Sequence, residues 1–309
     1  MGKSNDGGEM NRIRSIIDGL LTSKIFLIIL LLIGLLIFSY PLIADKYYSI
    51  KQENTIKEYD TMLANLPTED GQRILDEAYE YNKLLASTDP NIFSSQHNDT
   101  IMNMMKNGGL PTFFSYGRLI GTIDIPKIDI RLPLRSGTDQ DILEQNAGFM
   151  INTSLPVGGE STHSVITAHR GLPTSRLFTD IDQLKIGDVF YVQVLDKPHA
   201  YEVDQIKIIE PTDVSELKIV EGQDYITLLT CHPYMINSHR LIVRGHRIPY
   251  TPQLEQKVNQ IKQDNLLNIL FIKYREYIIG IAIFLLLLLI NHIRVRRIKK
   301  HIEMGDYDS

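Results

Sequence analysis

Cys231 is the only cysteine in this chain of 309 residues. It ends a strand-like run over residues 226–231, and Arg240 follows nine residues later. Cysteines on the oxidising side of a membrane normally occur in pairs as disulfides, so a lone one placed there suggests a thiol kept for reactivity. The alternative is a small buried apolar residue, a common role for free cysteine. The membrane context described below favours the reactive thiol.

A thiol attacks well only as its thiolate, and it needs a nearby cation or base, usually histidine. His169 is the best placed of the nine histidines, because it ends the run 164–168 and begins the turn 170–173. A functional side chain at such a strand end is a common arrangement. His232 would point to the opposite face if the strand continues, and His239 could be a surface or turn residue. The residues alone leave this choice open.

Arg240 and Arg244 are both candidates for stabilising an oxyanion. They are four residues apart, so on a strand they would share a face and lie about 13 Å from each other. Only one of them can therefore lie near the thiol. An arginine facing a carbonyl that becomes an oxyanion would stabilise the transition state. The alternative is a solvated surface arginine.

Two uncharged apolar segments flank this region and are predicted membrane helices. Residues 25–44 match the roughly 20 residues that span a bilayer core, and residues 277–293 are long enough for one crossing. Basic residues lie on the far side of both segments, which predicts cytoplasmic termini and residues 45–276 outside. These basic residues are Lys3, Arg12, Arg14, Lys24, Arg294, Arg296, Arg297, Lys299 and Lys300. A cleaved signal peptide is the alternative for the first segment, but its apolar run is long and no clear cleavage site follows.

The formal net charge of −5 says little about partners. The positive-inside tendency explains the basic tail without a nucleic-acid partner, and none is expected. The composition suits one globular domain between two anchors. The predicted organisation is a cytoplasmic N-terminus (1–24), a membrane helix (25–44), a helical region (45–116), a β-rich domain (117–250), a linker (251–276), a second membrane helix (277–293) and a basic cytoplasmic tail (294–309).

Short strand-like runs begin after Gly117 and are separated by turn residues. They are rich in β-branched residues or alternate between apolar and polar positions. The runs are Leu119–Ile125, 164–168, Val189–Val194, 200–209, 225–230 and 241–244. This spacing predicts a β-barrel or sandwich. A dinucleotide-binding fold is not expected, because no Gly-rich strand-to-helix turn or βαβ alternation occurs.

Helices are predicted on both sides of the β-rich domain. Residues 47–66 and 69–85 have helical patterns, and the second ends before the Asp89-Pro90 turn. A polar helix over residues 253–264 leads to the second apolar segment.

Thr227-Leu228-Leu229-Thr230-Cys231 resembles the TLxTC signature of sortases, the cysteine transpeptidases of Gram-positive cell envelopes. Further segments resemble the class C, pilus-building branch, and the second membrane segment fits that branch too. These segments are 153–159, 161–165, 169–173, 177–179, 187–188, 233–234, 236–237, 239–241 and Tyr191. The resemblance covers roughly residues 117–247. It implies a mainly β protein with short helices and a closed barrel, commonly of eight strands.

Carried over residue by residue, the resemblance makes Cys231 the nucleophile, His169 the general acid and base, and Arg240 the group that holds the substrate and the oxyanion. Ala168 and His232 stand where many relatives have glycine and threonine, but neither change removes a catalytic group. The implied reaction cleaves an LPxTG-like sorting signal, forms a thioester on the cysteine, and transfers the acyl group to a lysine of a neighbouring pilin. It requires no metal or organic cofactor.

Class C sortases also carry a lid loop before the barrel, typically with an Asp-Pro-aromatic motif. Asp89-Pro90 stands in the expected place, but Asn91 replaces the aromatic residue, and Ile92 and Phe93 follow. The resemblance therefore implies a lid at Asp89 and Pro90. The alternative is an ordinary solvent-exposed turn.

Two other functions are compatible with parts of this pattern. A sortase that anchors surface proteins to peptidoglycan would use the same catalytic residues with a cell-wall amine as acceptor. A non-enzymatic membrane adaptor with a sortase-like barrel would need none of them. The occupied positions Cys231, His169 and Arg240 favour an enzyme.

Overall fold

The computed structural model describes residues 24–87, 110–172, 174–195 and 197–264, together with scattered helical residues between 267 and 296. Its helices are α1 (Lys24–Ala64), α2 (Thr68–Ala86), α3 (Gln140–Leu143) and α4 (Pro252–Asp264). Its strands are β1 (Leu119–Ile125), β2 (Ile130–Ser136), β3 (Ala147–Phe149), β4 (Thr162–Thr167), β5 (Val189–Val194), β6 (Lys197–Ile209), β7 (Asp224–His232) and β8 (His239–Ile248).

The eight strands form one closed barrel in the order β1-β2-β3-β4-β7-β8-β6-β5. Pairing between β1 and β5 closes the sheet. The β2–β3 and β4–β7 pairs are parallel, and the other pairs are antiparallel. Full closure leaves no free sheet edge to pair with another chain. The predicted mainly β barrel is confirmed.

All six predicted strand runs lie in or overlap observed strands, but β2 and β3 were missed. Pro133 lies inside β2, and proline within a run argues against a central strand. It is tolerated here because β3 pairs only with Leu134, Arg135 and Ser136 of that strand. The three residues of β3 are too few to show an alternating pattern. Ala168 was predicted to be in a strand but lies just beyond β4.

The strands around β7 present two apolar faces. Ile226 and Leu228 of β7 enter the main core of the barrel, together with Val243 of β8. The opposite face of the same strands carries a second, smaller cluster of buried residues, Val165, Ile209, Leu217 and Ile242. Through Leu217, the β6–β7 connection therefore packs against the outside of the barrel.

The predicted helices are confirmed, and buried polar side chains attach two of them to the barrel. Tyr59 of α1 donates its hydroxyl hydrogen to the Ile120 carbonyl oxygen (2.8 Å) and accepts the Leu195 amide (2.9 Å). Asn82 of α2 donates to the Leu155 carbonyl oxygen (3.0 Å) and accepts from its amide (2.7 Å). Because these groups are buried, the hydrogen bonds fix where each helix lies.

α1 contains the whole of the first predicted membrane segment, residues 25–44, and continues well beyond it. In the part of the chain that the structure describes, no helix is both long and apolar enough to cross a membrane. The two crossings and the domain boundaries stay predictions. Asp89 and Pro90 lie outside the described residues.

Candidate active site

β7 lies between β4 and β8, and this order brings the candidate catalytic residues together. Cys231 is the Cα partner of Arg240 in the antiparallel β7–β8 ladder. Residues directly opposite in a sheet have side chains on the same face. Counting along the strands, that face is opposite to the one on which Leu228 and Val243 enter the core. The cysteine and the arginine therefore share the outer face of the barrel.

His169 follows the end of β4, on the other side of Cys231. The parallel β4–β7 register ends with Thr167 opposite Leu229, so two further residues bring His169 opposite Cys231. The two chains remain in contact beyond that register, because the Thr230 hydroxyl donates to the Ala168 carbonyl oxygen at 2.8 Å. Continuing the register by these two residues therefore places His169, Cys231 and Arg240 side by side at the ends of three neighbouring strands.

The two candidate arginines have different surroundings. Arg244 donates through Nε and Nη2 to the two carboxylate oxygens of Asp204, both at 3.0 Å, and its guanidinium carbon lies 4.1 Å from the centre of the Tyr225 ring. Arg240 donates through Nη1 to the backbone oxygens of Asn237 (3.2 Å) and His239 (2.9 Å). Within the described ranges, no carboxylate forms an ion pair with Arg240. Its guanidinium therefore has no carboxylate partner among the described residues that would compete with an incoming carbonyl oxygen.

The alternative histidines have other roles. His239 contacts the Glu210 carboxylate (3.3 Å) and the Ser238 hydroxyl (2.8 Å) at the surface. Cys231 itself is a partly exposed free thiol. His232 accepts a hydrogen bond at Nδ1 from Arg170 (3.1 Å). Among these three histidines, His169 is the one that a continuation of the β4–β7 register places opposite the thiol.

Sequence reasoning assigned no role to Arg170 or Asp182. The Arg170 side chain is only 6% exposed, and its Nη2 donates to the Asp182 carboxylate at 2.5 Å. Its Nε donates to the Thr179 carbonyl oxygen at 3.0 Å. The only signal in the sequence was the position of Arg170 directly after His169. Nothing in the sequence indicated that the segment around Asp182 folds back onto this turn.

His163 was also missed as a structural residue. Its Nδ1 donates to the Lys218 carbonyl oxygen at 2.7 Å, so its Nε2 accepts the Thr227 hydroxyl hydrogen, also at 2.7 Å. Burial lowers the pKa of His163 to about 4. The neutral ring therefore connects β4 to the β6–β7 connection and to the strand that carries Cys231.

A cavity of about 630 Å³ lies beside the Arg170 and Asp182 side chains and extends to Tyr234 and to Pro41 of α1. Cys231 does not line it, so the strand register rather than this cavity locates the candidate site. Across the described residues, no group of three or more His, Cys, Asp or Glu side chains could hold a metal ion.

Comparisons with known proteins agree with this arrangement. A family model described as Sortase domain matches residues 123–248. The structure of sortase C from Clostridium perfringens SM101 is 42% identical, covers 64% of this chain and 99% of its own, and has a TM-score of 0.54. Sortase C-1 from Streptococcus pneumoniae is 46% identical, with coverages of 64% and 100% and a TM-score of 0.55. Sortase D of Bacillus subtilis (strain 168) is 28% identical over 135 residues, so the chain matches 65% of that relative's length, just under two thirds.

Proposed function

Because the chain belongs to the sortase family of cysteine transpeptidases, we propose that Cys231, His169 and Arg240 are its catalytic residues and that it joins pilin subunits as a class C enzyme. The observation that carries the proposal is the strand order β4-β7-β8, in which Cys231 pairs with Arg240 and β4 ends two residues before His169. Similarity to two solved structures named sortase C supports the class.

The first half-reaction forms a thioester. The Cys231 thiolate attacks the Thr–Gly carbonyl carbon of an LPxTG-like sorting signal, and Arg240 donates hydrogen bonds to the oxyanion that develops. His169, as imidazolium, gives its proton to the departing glycine amine. The peptide bond breaks, and the acyl group remains on the sulfur.

The second half-reaction forms the product. A lysine amine of a neighbouring pilin attacks the thioester carbonyl, and His169 accepts the proton that the amine loses. The sulfur departs as thiolate, and an isopeptide bond joins the two subunits.

The proposal includes a lid and membrane anchoring. The Asp89-Pro90 segment is proposed as a lid, on the residues that resemble the class C motif. Membrane helices at residues 25–44 and 277–293, with residues 45–276 outside the cell, are proposed from the two uncharged apolar segments. This placement would bring the thiol to the side on which secreted pilins are assembled.

The proposal is tested by incubating the full-length, detergent-solubilised protein with a purified pilin that carries an LPxTG-like signal. Covalent ladders that resist boiling in detergent are expected, and they should be absent with Cys231→Ala. A triglycine peptide added as a cell-wall amine mimic separates the two acceptors. Pilin joined only to triglycine would favour peptidoglycan anchoring. If the Cys231→Ala protein also formed ladders, the assignment of the nucleophile would be wrong.

A further inference from the structure

The residues that directly follow the proposed histidine and cysteine also contact each other. Arg170 follows His169, His232 follows Cys231, and the guanidinium Nη1 of Arg170 lies 3.1 Å from Nδ1 of His232. Successive side chains on a strand point to opposite faces. Since His232 is still part of β7, this contact lies on the face opposite to Cys231.

Arg170 connects three segments through three nitrogen atoms. Nε donates to the Thr179 carbonyl oxygen, Nη2 to the Asp182 carboxylate and Nη1 to His232. The side chain of Arg170 is almost fully buried, whereas that of Asp182 is 43% exposed. A buried charge is tolerated only when it is paired and hydrogen-bonded. The Asp182 carboxylate pairs with the Arg170 guanidinium, and the Thr179 carbonyl oxygen and Nδ1 of His232 accept its other hydrogen bonds, so this condition is met.

The contact also fixes the tautomer of His232. A guanidinium can only donate, so Nδ1 of His232 must carry a lone pair, and the ring proton is on Nε2. Any replacement for this histidine must therefore offer an acceptor at the position of Nδ1. Asparagine can place its amide oxygen there, whereas leucine of similar size cannot.

Backbone pairing between these two strands stops before the proposed catalytic residues, and its last hydrogen bond runs from the Ala168 amide to the Leu229 carbonyl oxygen at 3.4 Å. The β4–β7 register ends at Thr167 and Leu229, two residues before His169 and Cys231. Beyond it, the Thr230 hydroxyl bond to the Ala168 carbonyl oxygen and the Arg170–His232 contact are the described side-chain links between the two strand ends. An error of about 1 Å between reacting groups can cost about 100-fold in rate.

We propose that Arg170, supported by Asp182, is a positioning residue that holds the turn after His169 against His232 and so keeps the catalytic histidine and cysteine in register. The proposal rests on the proposed roles of Cys231 and His169. It adds a residue that touches neither substrate nor reacting atom. Lysine at this position would keep the charge but lose the planar fork that reaches three partners at once.

The test compares Arg170→Lys, His232→Leu and His232→Asn in the full-length protein. Cleavage of a quenched-fluorescent peptide containing LPETG gives kcat and KM for each variant. We expect Arg170→Lys and His232→Leu each to lower kcat by about 10-fold or more, with KM changed less than about twofold. His232→Asn should restore most of kcat, because it restores the acceptor.

Asp180→Asn is the matched control. Asp180 pairs with Arg176 in the same loop and makes no described contact with His232. This variant should keep kcat within about twofold of the parent, and the melting temperature of every variant shows whether it folds. The double variant Arg170→Lys/His232→Leu should lower kcat no further than either single change, as expected for two partners of one contact.

Three results would overturn the proposal. One is that Arg170→Lys and His232→Leu affect kcat no more than Asp180→Asn does. Another is that His232→Asn is as impaired as His232→Leu, which would mean that the acceptor is irrelevant. The third is additive losses in the double variant. Activity that persists in Cys231→Ala would instead contradict the proposed nucleophile, so the two failures are distinguishable.

Discussion

At the scale of single residues, the structure separates two arginines that the sequence could not rank by spacing. Arg244 has both carboxylate oxygens of Asp204 and the Tyr225 ring as partners, whereas Arg240 donates only to backbone oxygens among the described residues. A guanidinium that already forms a bidentate ion pair cannot also turn towards a developing oxyanion. The proposed role in catalysis therefore belongs to Arg240.

Arg240→Lys tests this assignment. Lysine is a point charge that cannot reproduce the guanidinium fork, so kcat for LPETG peptide cleavage should fall by about 100-fold, as for the loss of an oxyanion donor. Arg244→Lys is the control, and it should lower the melting temperature but keep kcat near the parent value. A parental kcat in Arg240→Lys together with an inactive, folded Arg244→Lys would reverse the assignment.

At the scale of elements, His163 connects β4, β7 and the β6–β7 connection through two buried hydrogen bonds. Its pKa is lowered to about 4 by burial, from an ordinary value of 6.5. Between these values the unfolded chain binds a proton that the folded chain excludes. The stability that depends on neutral His163 is therefore present above pH 6.5 and is lost as the pH falls towards 4.

We expect the free energy of unfolding to fall by about 2 kcal/mol from this group between pH 7 and pH 5. His163→Asn keeps a donor towards the Lys218 carbonyl oxygen but does not titrate. The variant should be less stable than the parent at pH 7 and should lose less stability on acidification. Urea denaturation at both pH values measures the difference, and equal losses in the two proteins would show that His163 does not titrate in this range.

The proposed lid is a second element with a direct test. If the Asp89-Pro90 segment guards the thiol, Asp89→Ala/Pro90→Ala should increase the rate of Cys231 labelling by iodoacetamide several-fold. Asp141→Ala, which removes an exposed carboxylate from α3, is the control and should label at the parent rate. Equal rates in the parent and the double variant would mean that this segment is an ordinary turn.

The elements that the sequence predicted well are those with a strong local pattern. β5 was predicted with its observed bounds, and α2 to within about one residue. β2 and β3 were missed because Pro133 and a three-residue strand carry no such pattern, and their pairing depends on distant partners. The role of Arg170 was missed for the same reason, because its contact with Asp182 depends on how the chain folds between them. The chain turns back so that the Phe178 amide donates to the His169 carbonyl oxygen, and the Asp182 carboxylate accepts from Arg170.

At the scale of the whole molecule, the barrel brings together residues that are far apart in the sequence. β4, which ends two residues before His169, is the parallel neighbour of β7, and Cys231 of β7 pairs with Arg240 of the antiparallel strand β8. The three residues could be nominated from the chain, but their proximity depends on β4, β7 and β8 being neighbours in the barrel. Cys231 and Arg240 lie on the outer face of these strands.

The most direct measurement of the central claim is the intact mass of the full-length protein after reaction with an LPETG peptide in the absence of an amine acceptor. We expect a mass increase equal to the acyl portion of the peptide, located on Cys231 and removed by hydroxylamine. The increase should be absent in Cys231→Ala and form much more slowly in Arg240→Lys. An acyl adduct on any other residue, or peptide cleavage by Cys231→Ala, would contradict the proposed mechanism.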